Sequence, residues 1–281
     1  MYLIRGAGGR AGSAAGAGDG DPLPPSRSWP DRPGGPSSAL LLTEPIRGLV
    51  DLAALPLASP WLASAPRGDG HGVLVLPGLL ASDASTVPLR RFLRLLSYDV
   101  RGWGLGRNRG PTEAVLEQLP QAVAEHAQRT GRAVSLVGWS LGGIFAREIA
   151  RRQPSLVRQV ITLGSPFAQQ DRWGSHADGP YRRLSRLHAS PGRIPSRKQV
   201  ARPIRVPSTS VYSRHDGIVS WQACVEPDTA LHENVEVRCS HLGFGVDPAT
   251  LWLIADRLAV PDGQQRPFRP PPLMRPLYPG R

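Results

Sequence analysis

The sequence predicts an α/β protein whose mostly parallel central sheet is covered by helices on both faces. Three observations carry this expectation. Uninterrupted apolar runs such as Gly72-Val73-Leu74-Val75-Leu76 have the pattern of strands buried on both sides. Amphipathic stretches alternate with them, as β-α-β units require. Gly, Pro, Ser and Arg crowd both ends of the 281-residue chain, so its 40% hydrophobic content is concentrated in the middle, within the size of one large domain.

From the N-terminus, residues 1–38 hold few large apolar side chains and many breakers, which predicts disorder. The domain is expected over 39–260, beginning with a leading section at 39–64. There Leu40, Leu41, Leu42, Ile46, Leu49, Val50, Leu52, Leu55 and Leu57 include pairs at helical spacing, interrupted by Arg47 and Asp51. This predicts one or two short amphipathic helices, either packed on the outer face or turned to a membrane or the mouth of a site. The strand Gly72 to Leu76 stops at Pro77-Gly78. Val87 to Leu96 reads as a helix, with Leu89, Phe92, Leu93 and Leu96 opposite Arg90, Arg91 and Arg94.

Tyr98 to Trp103 is a short strand, and Pro111-Thr112 opens a helix to about Arg129. Val115, Leu116, Leu119, Ala122 and Val123 form its stripe, and Pro120 is expected to kink or split it. The strand Ala133 to Val137, a helix from Leu141 to Arg152 and the strand Val160 to Leu163 follow. The span 167–206 breaks the rhythm as a long basic insertion, either functional or mobile. Strands resume at Ser208 to Tyr212 and Val235 to Val237, and a helix from Pro248 to Leu258 closes the domain. The Pro/Arg-rich tail, 261–281, either wraps the surface or stays loose.

The formal charge of +12 comes almost wholly from arginine, with Lys198 the only lysine. Alongside abundant Ala, Gly and Pro this reads as genomic base composition. Charge without a reading motif does not predict specific nucleic-acid binding. Cys224 and Cys239 are too few for a disulfide framework, and two free thiols are expected. No apolar run approaches the roughly 20 residues of a membrane span. Met1 to Arg5 leads into a glycine and alanine run rather than a signal-peptide core, which makes a cytoplasmic location the expectation. No cofactor or metal is indicated.

The chemistry centres on Gly138-Trp139-Ser140-Leu141-Gly142, with an apolar strand before it and an amphipathic helix after it. A sharp strand-to-helix turn lifts a serine hydroxyl into reach of a base and strains the backbone there. Small residues two positions to either side let strand and helix approach. The helix beginning at Leu141 aims free N–H groups at a reacting carbonyl. The plainer alternative is a glycine-rich turn with an incidental serine. Such a serine needs an acid and a base in the chain order Ser, Asp or Glu, His. Asp216 follows the strand that ends near Ser213, and His241 follows the strand at Val235 to Arg238. Both therefore fall at the sheet edge that carries Ser140. Asp228 is an alternative acid. His215 and His232 read as surface histidines, while His126 and His188 read as solvated positions in a helix and in the insertion. Backbone N–H groups of Leu141 and of Leu79, after Pro77-Gly78, are the expected oxyanion donors.

Gly72 to Ser82, Gly138 to Gly143, Leu163-Gly164-Ser165-Pro166, Asp216-Gly217-Ile218-Val219 and Ser240-His241-Leu242-Gly243 together resemble an α/β-hydrolase of the bacterial lipase and esterase branch, over roughly Gly72 to Leu258. Pro77-Gly78 departs from the His-Gly that many lipases carry there. The resemblance implies an α/β-hydrolase fold, a proton passing from Ser140 to His241, an acyl-enzyme, and a small-molecule ester or lipid substrate. It also implies that 167–206 stands where such enzymes carry a cap or lid. The basic residues Arg172, Arg182, Arg183, Arg186, Arg193, Arg197 and Lys198 suggest peripheral contact with an anionic membrane, or else a solvated loop. An acyltransferase on the same three residues, or a non-catalytic interaction protein, are the alternative functions.

Overall fold

Residues 34–168, 174–188 and 197–280 are described by a computed structural model of the chain. Six strands carry the fold: β1 (Gly72–Leu76), β2 (Asp99–Gly102), β3 (Val134–Trp139), β4 (Val157–Leu163), β5 (Ser208–Ser213) and β6 (His232–Val237). They form one sheet in the order β2-β1-β3-β4-β5-β6, and every neighbouring pair is parallel. Parallel neighbours need crossovers, and α-helices lie in four of the five connections between consecutive strands. α1 (Ser38–Leu62) precedes β1; α2 (Val87–Leu95), α3 (Glu113–Thr130), α4 (Leu141–Arg152) and the pair α5 (Asp178–His188) and α6 (Arg197–Val200) lie in the crossovers; α7 (Pro248–Leu258) follows β6.

The alternation of side chains along each strand divides the interior into two cores. Val73 and Val75 of β1 face the core shared with α2, α7 and Leu62 of α1, whereas Leu74 and Leu76 face the one shared with α3 and α4. The C-terminal tail belongs to the first core. Phe268 and Tyr278 are buried there, stacked edge-on at 4.9 Å, and Tyr278 Oη donates to Ala249 O at 2.7 Å. In the 167–206 span, Phe167, Val200, Ile204 and Val206 are buried, and α5 and α6 occupy part of it. Residues 169–173 and 189–196, with Arg172 and Arg193, lie outside the described residues. Cys224 and Cys239 are buried and unpaired.

Several expectations need correction. Of the segment expected to be disordered, 1–33 lies outside the described residues, while Ser37 caps the next helix by accepting from Leu40 N at 3.2 Å. The leading section is one 25-residue helix, not one or two short ones, although Pro45, Pro56 and Pro60 lie within it. Where Pro60 has no N–H to offer, the Ser59 hydroxyl donates to Pro56 O at 2.7 Å. Pro120 likewise does not split α3, where Leu119 and Val123 pack on either side of it. His126 is fully buried rather than solvated. His232 opens β6 and is buried, its Nε2 lying 2.9 Å from Ile204 O.

Candidate active site

Five strand ends, those of β1, β3, β4, β5 and β6, meet at one edge of the sheet. The turn after β3 carries Ser140 at φ 53°, ψ −119°, a left-handed conformation that costs a non-glycine residue about 1–3 kcal/mol. Its glycines are required by contact. A Cβ at Gly138 would come within 2.4 Å of Gly143 Cα, and one at Gly142 within 2.4 Å of Leu76 O. Strand, turn and helix are packed too closely there for any side chain.

The loop after β5 carries Asp216. Its Oδ1 accepts from Ile218 N and Val219 N at 2.8 and 2.7 Å, which turns Oδ2 toward the loop after β6. There His241 Nδ1 lies 2.6 Å from Asp216 Oδ2, with both side chains buried. Ser213 at the end of β5 donates to Cys239 O at 2.6 Å and so ties the two loops together. Beneath the pair runs the end of β4. A Cβ at Gly164 would sit 3.1 Å from both Asp216 Oδ2 and His241 Nδ1, and Leu163 O accepts Ser140 N at 2.8 Å. Trp139 Nε1 donates to His241 O at 3.1 Å, and Phe244 meets the imidazole edge-on at 6.0 Å. Ser140 is 8% exposed, and no hydrogen bond joins its hydroxyl to His241. Apo catalytic contacts are often long and tighten with substrate.

Burial opposes a charge on the His241 ring, but the charge and hydrogen bond of Asp216, then the charge of Glu44, outweigh it. The imidazole binds its proton more tightly than an ordinary histidine. Leu141 opens α4, so its N–H has no intrahelical acceptor. Leu79 N–H has no backbone acceptor among the described residues, whereas Leu80 N donates to Asn108 O at 2.7 Å and Ala81 N to Gly78 O at 3.2 Å. Gly78 lies against the serine, its would-be Cβ 3.3 Å from Ser140 Cβ. Buried Asn108 fixes this loop further by donating from Nδ2 to Pro77 O at 2.8 Å.

The structure therefore brings Asp216 and His241 into direct contact, and carries Ser140 and Leu141 on the turn after β3, with the Gly78–Leu79 loop against the serine. Asp228 is exposed and accepts from Asn234, and His215 is exposed. Asn108 and Glu44 escape the sequence reading, because neither sits in a motif. Among the described residues no three His, Cys, Asp or Glu side chains are gathered to hold a metal, and no helix is long and apolar enough to cross a membrane.

Residues 71–279 match the model of an alpha/beta hydrolase family. The pimeloyl-acyl-carrier-protein methyl ester esterase of Klebsiella pneumoniae is 36% identical over 118 residues, covering 40% of this chain and 44% of that protein. Serine hydrolase BPHL of Mus musculus is 32% identical over 109 residues, covering 35% and 37%. The chain thus spans less than half the length of these relatives. Among solved structures, an N-acyl homoserine lactonase, AidH, superposes with a TM-score of 0.52 at 18% identity, covering 73% of this chain and 94% of that one. That likeness concerns the fold.

Proposed function

The chain belongs to the α/β-hydrolase family, and from that premise we propose that it is a serine hydrolase cleaving carboxylic esters. One observation carries the reading: a buried Asp216–His241 pair at 2.6 Å beside a serine strained at a helix N-terminus. Ser140 Oγ attacks the ester carbonyl as His241 Nε2 takes its proton, while Asp216 holds the Nδ1 proton and steadies the imidazolium. The N–H groups of Leu79 and Leu141 receive the developing oxyanion. Collapse expels the alcohol, which takes the proton back from His241, and leaves an acyl-Ser140. Water, deprotonated by the same histidine, releases the acid. That two relatives bear the names methyl ester esterase and serine hydrolase supports this chemistry.

The substrate in this proposal is hydrophobic. Leu80 and Leu242, beside the oxyanion loop and the histidine, are 45% and 42% exposed, and a row of apolar residues on α1 is exposed as well. Exposed Arg182, Arg183 and Lys198, within a chain of net charge +12, support contact with an anionic lipid surface. Equal rates on neutral and anionic vesicles would remove that last part.

Labelling with a fluorophosphonate tests the whole. Wild type is expected to label, and Ser140→Ala and His241→Ala to remain unlabelled. p-Nitrophenyl esters of increasing chain length should then be cleaved with rising kcat/KM. Labelling that persists in Ser140→Ala defeats the proposal.

A further inference from the structure

A surface helix docks by its apolar stripe as a rule. The first half of α1 does the opposite. Leu42, Ile46, Leu49 and Val50 are exposed, while Glu44 is 2% exposed and the half-buried Arg47, Gly48 and Asp51 share its inward face. Arg47 and Asp51, which interrupt the apolar pattern in the sequence, are therefore part of what docks. Their counterpart is the pair of loops bearing the acid and the base. Glu44 Oε1 accepts from Gly217 N at 2.6 Å and from His241 N at 3.1 Å, and Oε2 accepts from Leu242 N at 3.1 Å. Arg47 Nη2 completes the set at 2.9 Å from Oε1, and its Nη1 donates to His215 O. One turn on, Asp51 Oδ2 accepts from Ser240 N at 3.1 Å and Ser240 Oγ at 2.6 Å.

The seat is built to fit. A Cβ at Gly217 would lie 2.5 Å from Leu40 C, one at Gly243 would overlap the Asp51 carboxylate, and one at Gly48 would stand 3.0 Å from Leu242 Cβ. A buried carboxylate costs several kcal/mol unless its oxygens are satisfied, and here four donors satisfy them. The three backbone donors among them are informative: they belong to the residue after Asp216, to His241 itself and to the residue after His241.

We propose that Glu44 is a positioning residue for the reaction. Its carboxylate bridges the Asp216 and His241 loops, fixes their spacing, and places a second negative charge behind the imidazole. The inference rests on the serine-hydrolase reading above. The groups set against His241 are Asp216 at Nδ1 from the β5 loop, Glu44 at its backbone N–H from α1, Trp139 at the end of β3, and Phe244 from its own loop. Arg47 and Asp51 stand farther off, paired to Glu44 and Ser240. Asp216 and Glu44 both favour the charged ring against burial.

The test is the pH profile of ester hydrolysis by Glu44→Gln, a near-isosteric change that removes the charge. With Glu44 neutral the imidazole should lose its proton more readily. The acid limb of kcat/KM should therefore move to lower pH, while kcat falls about 10–100-fold at nearly constant KM. An acid limb that stays in place, or a kcat within about twofold of wild type, overturns the inference. Should Glu44→Gln fail to fold, Glu44→Asp keeps the charge but withdraws it by one methylene. It should hold the acid limb near its wild-type position with a lowered kcat, and a kcat within about twofold would then overturn the inference. Fluorophosphonate labelling separates this failure from the larger one. Labelling that survives Ser140→Ala defeats the serine-hydrolase reading and this inference with it. Labelling that depends on Ser140 but is equally fast in Glu44→Gln defeats the inference alone.

Discussion

Opposite ends of the same sheet hold a serine, a histidine and an aspartate in hydrogen-bonding order. At the C-terminal edge stand Ser140, His241 and Asp216. At the other end, Ser135 Oγ lies 2.9 Å from His71 Nε2, and His71 Nδ1 lies 2.5 Å from Asp69 Oδ1. By side-chain contacts alone the second chain is the more complete, since Ser140 has no bond to its histidine. The surroundings differ. Ser135 sits inside β3, fully buried, with Val73 of β1 and Gln159 of β4 as its partners on either side. Ser140 stands five residues later, on a strained turn where a helix begins. Asp69 is shared with Arg158 and Arg132, at 3.0 and 3.3 Å, whereas beside Asp216 and His241 stands a second carboxylate, Glu44, bonded to the backbone N–H groups of Gly217 and His241.

The neighbours settle how each histidine holds its proton. Burial pushes both down. At His71 the charges of Arg158 and Arg132 add to that effect, and Asp69 does not overcome it. At His241 two carboxylates reverse it. Three residue types in sequence make a relay, while a strained turn, free N–H donors and net negative surroundings are what suit one to acyl transfer.

The largest difference between the two ends should come from neutralising each acid in turn. Asp216→Asn should lower kcat about 10⁴-fold, because the histidine loses both its orientation and the partner of its charge. Asp69→Asn should leave kcat within about twofold and reduce stability by about 1 kcal/mol, its site being half open to solvent. Ester hydrolysis and denaturant unfolding measure both. A comparable rate loss in Asp69→Asn would show that the lower chain is coupled to the chemistry. The serine of that end should likewise matter for stability alone: Ser135→Ala should label with fluorophosphonate like wild type while losing about 1–2 kcal/mol, since His71 Nε2 is left without its donor.

How far the two ends can be read in the sequence follows from where their signals lie. The upper site announces itself locally. Gly138 to Gly142 lies between a buried strand and an amphipathic helix, and Asp216 and His241 each follow a recognisable strand, so order along the chain maps onto order along the sheet edge. β1, α4 and α7 begin where continuous apolar runs and helical stripes place them. The lower chain gives no such sign, because Ser135 is one polar residue in an apolar strand and Asp69 sits in a glycine turn. Glu44 is hidden for a different reason. A carboxylate within an apolar helical pattern marks the solvent face by default, and the amides that reverse this come from residues more than 170 positions away. Pro120 misleads in another way, since its local cost argues for a split that packing of Leu119 and Val123 offsets.

The smallest expected effect is the most discriminating, because the two histidines should act with opposite sign. The folded pKa of His71 is depressed, so the unfolded chain takes up a proton near pH 6.5 that the folded state refuses. Its contribution is present above about pH 6.5 and lost as the pH falls below that value. The folded pKa of His241 is raised, so its contribution is present below about pH 6.5 and lost as the pH rises through the folded value. Below about pH 6.5 the first therefore makes stability fall with acid, and above about pH 6.5 the second makes stability fall as the pH rises. His71→Gln should flatten the acid fall of Tm below that pH, and His241→Gln should flatten the fall of Tm above it, so the two change the slope with opposite sign. Buried His126, also depressed by desolvation, is common to all three proteins and cancels between them. Calorimetric melts at intervals on both sides of that pH read both slopes. If the two variants changed the slope in the same direction, the different settings of the two acid–histidine pairs, arginines at one and carboxylates at the other, would not be what distinguishes the ends of this sheet.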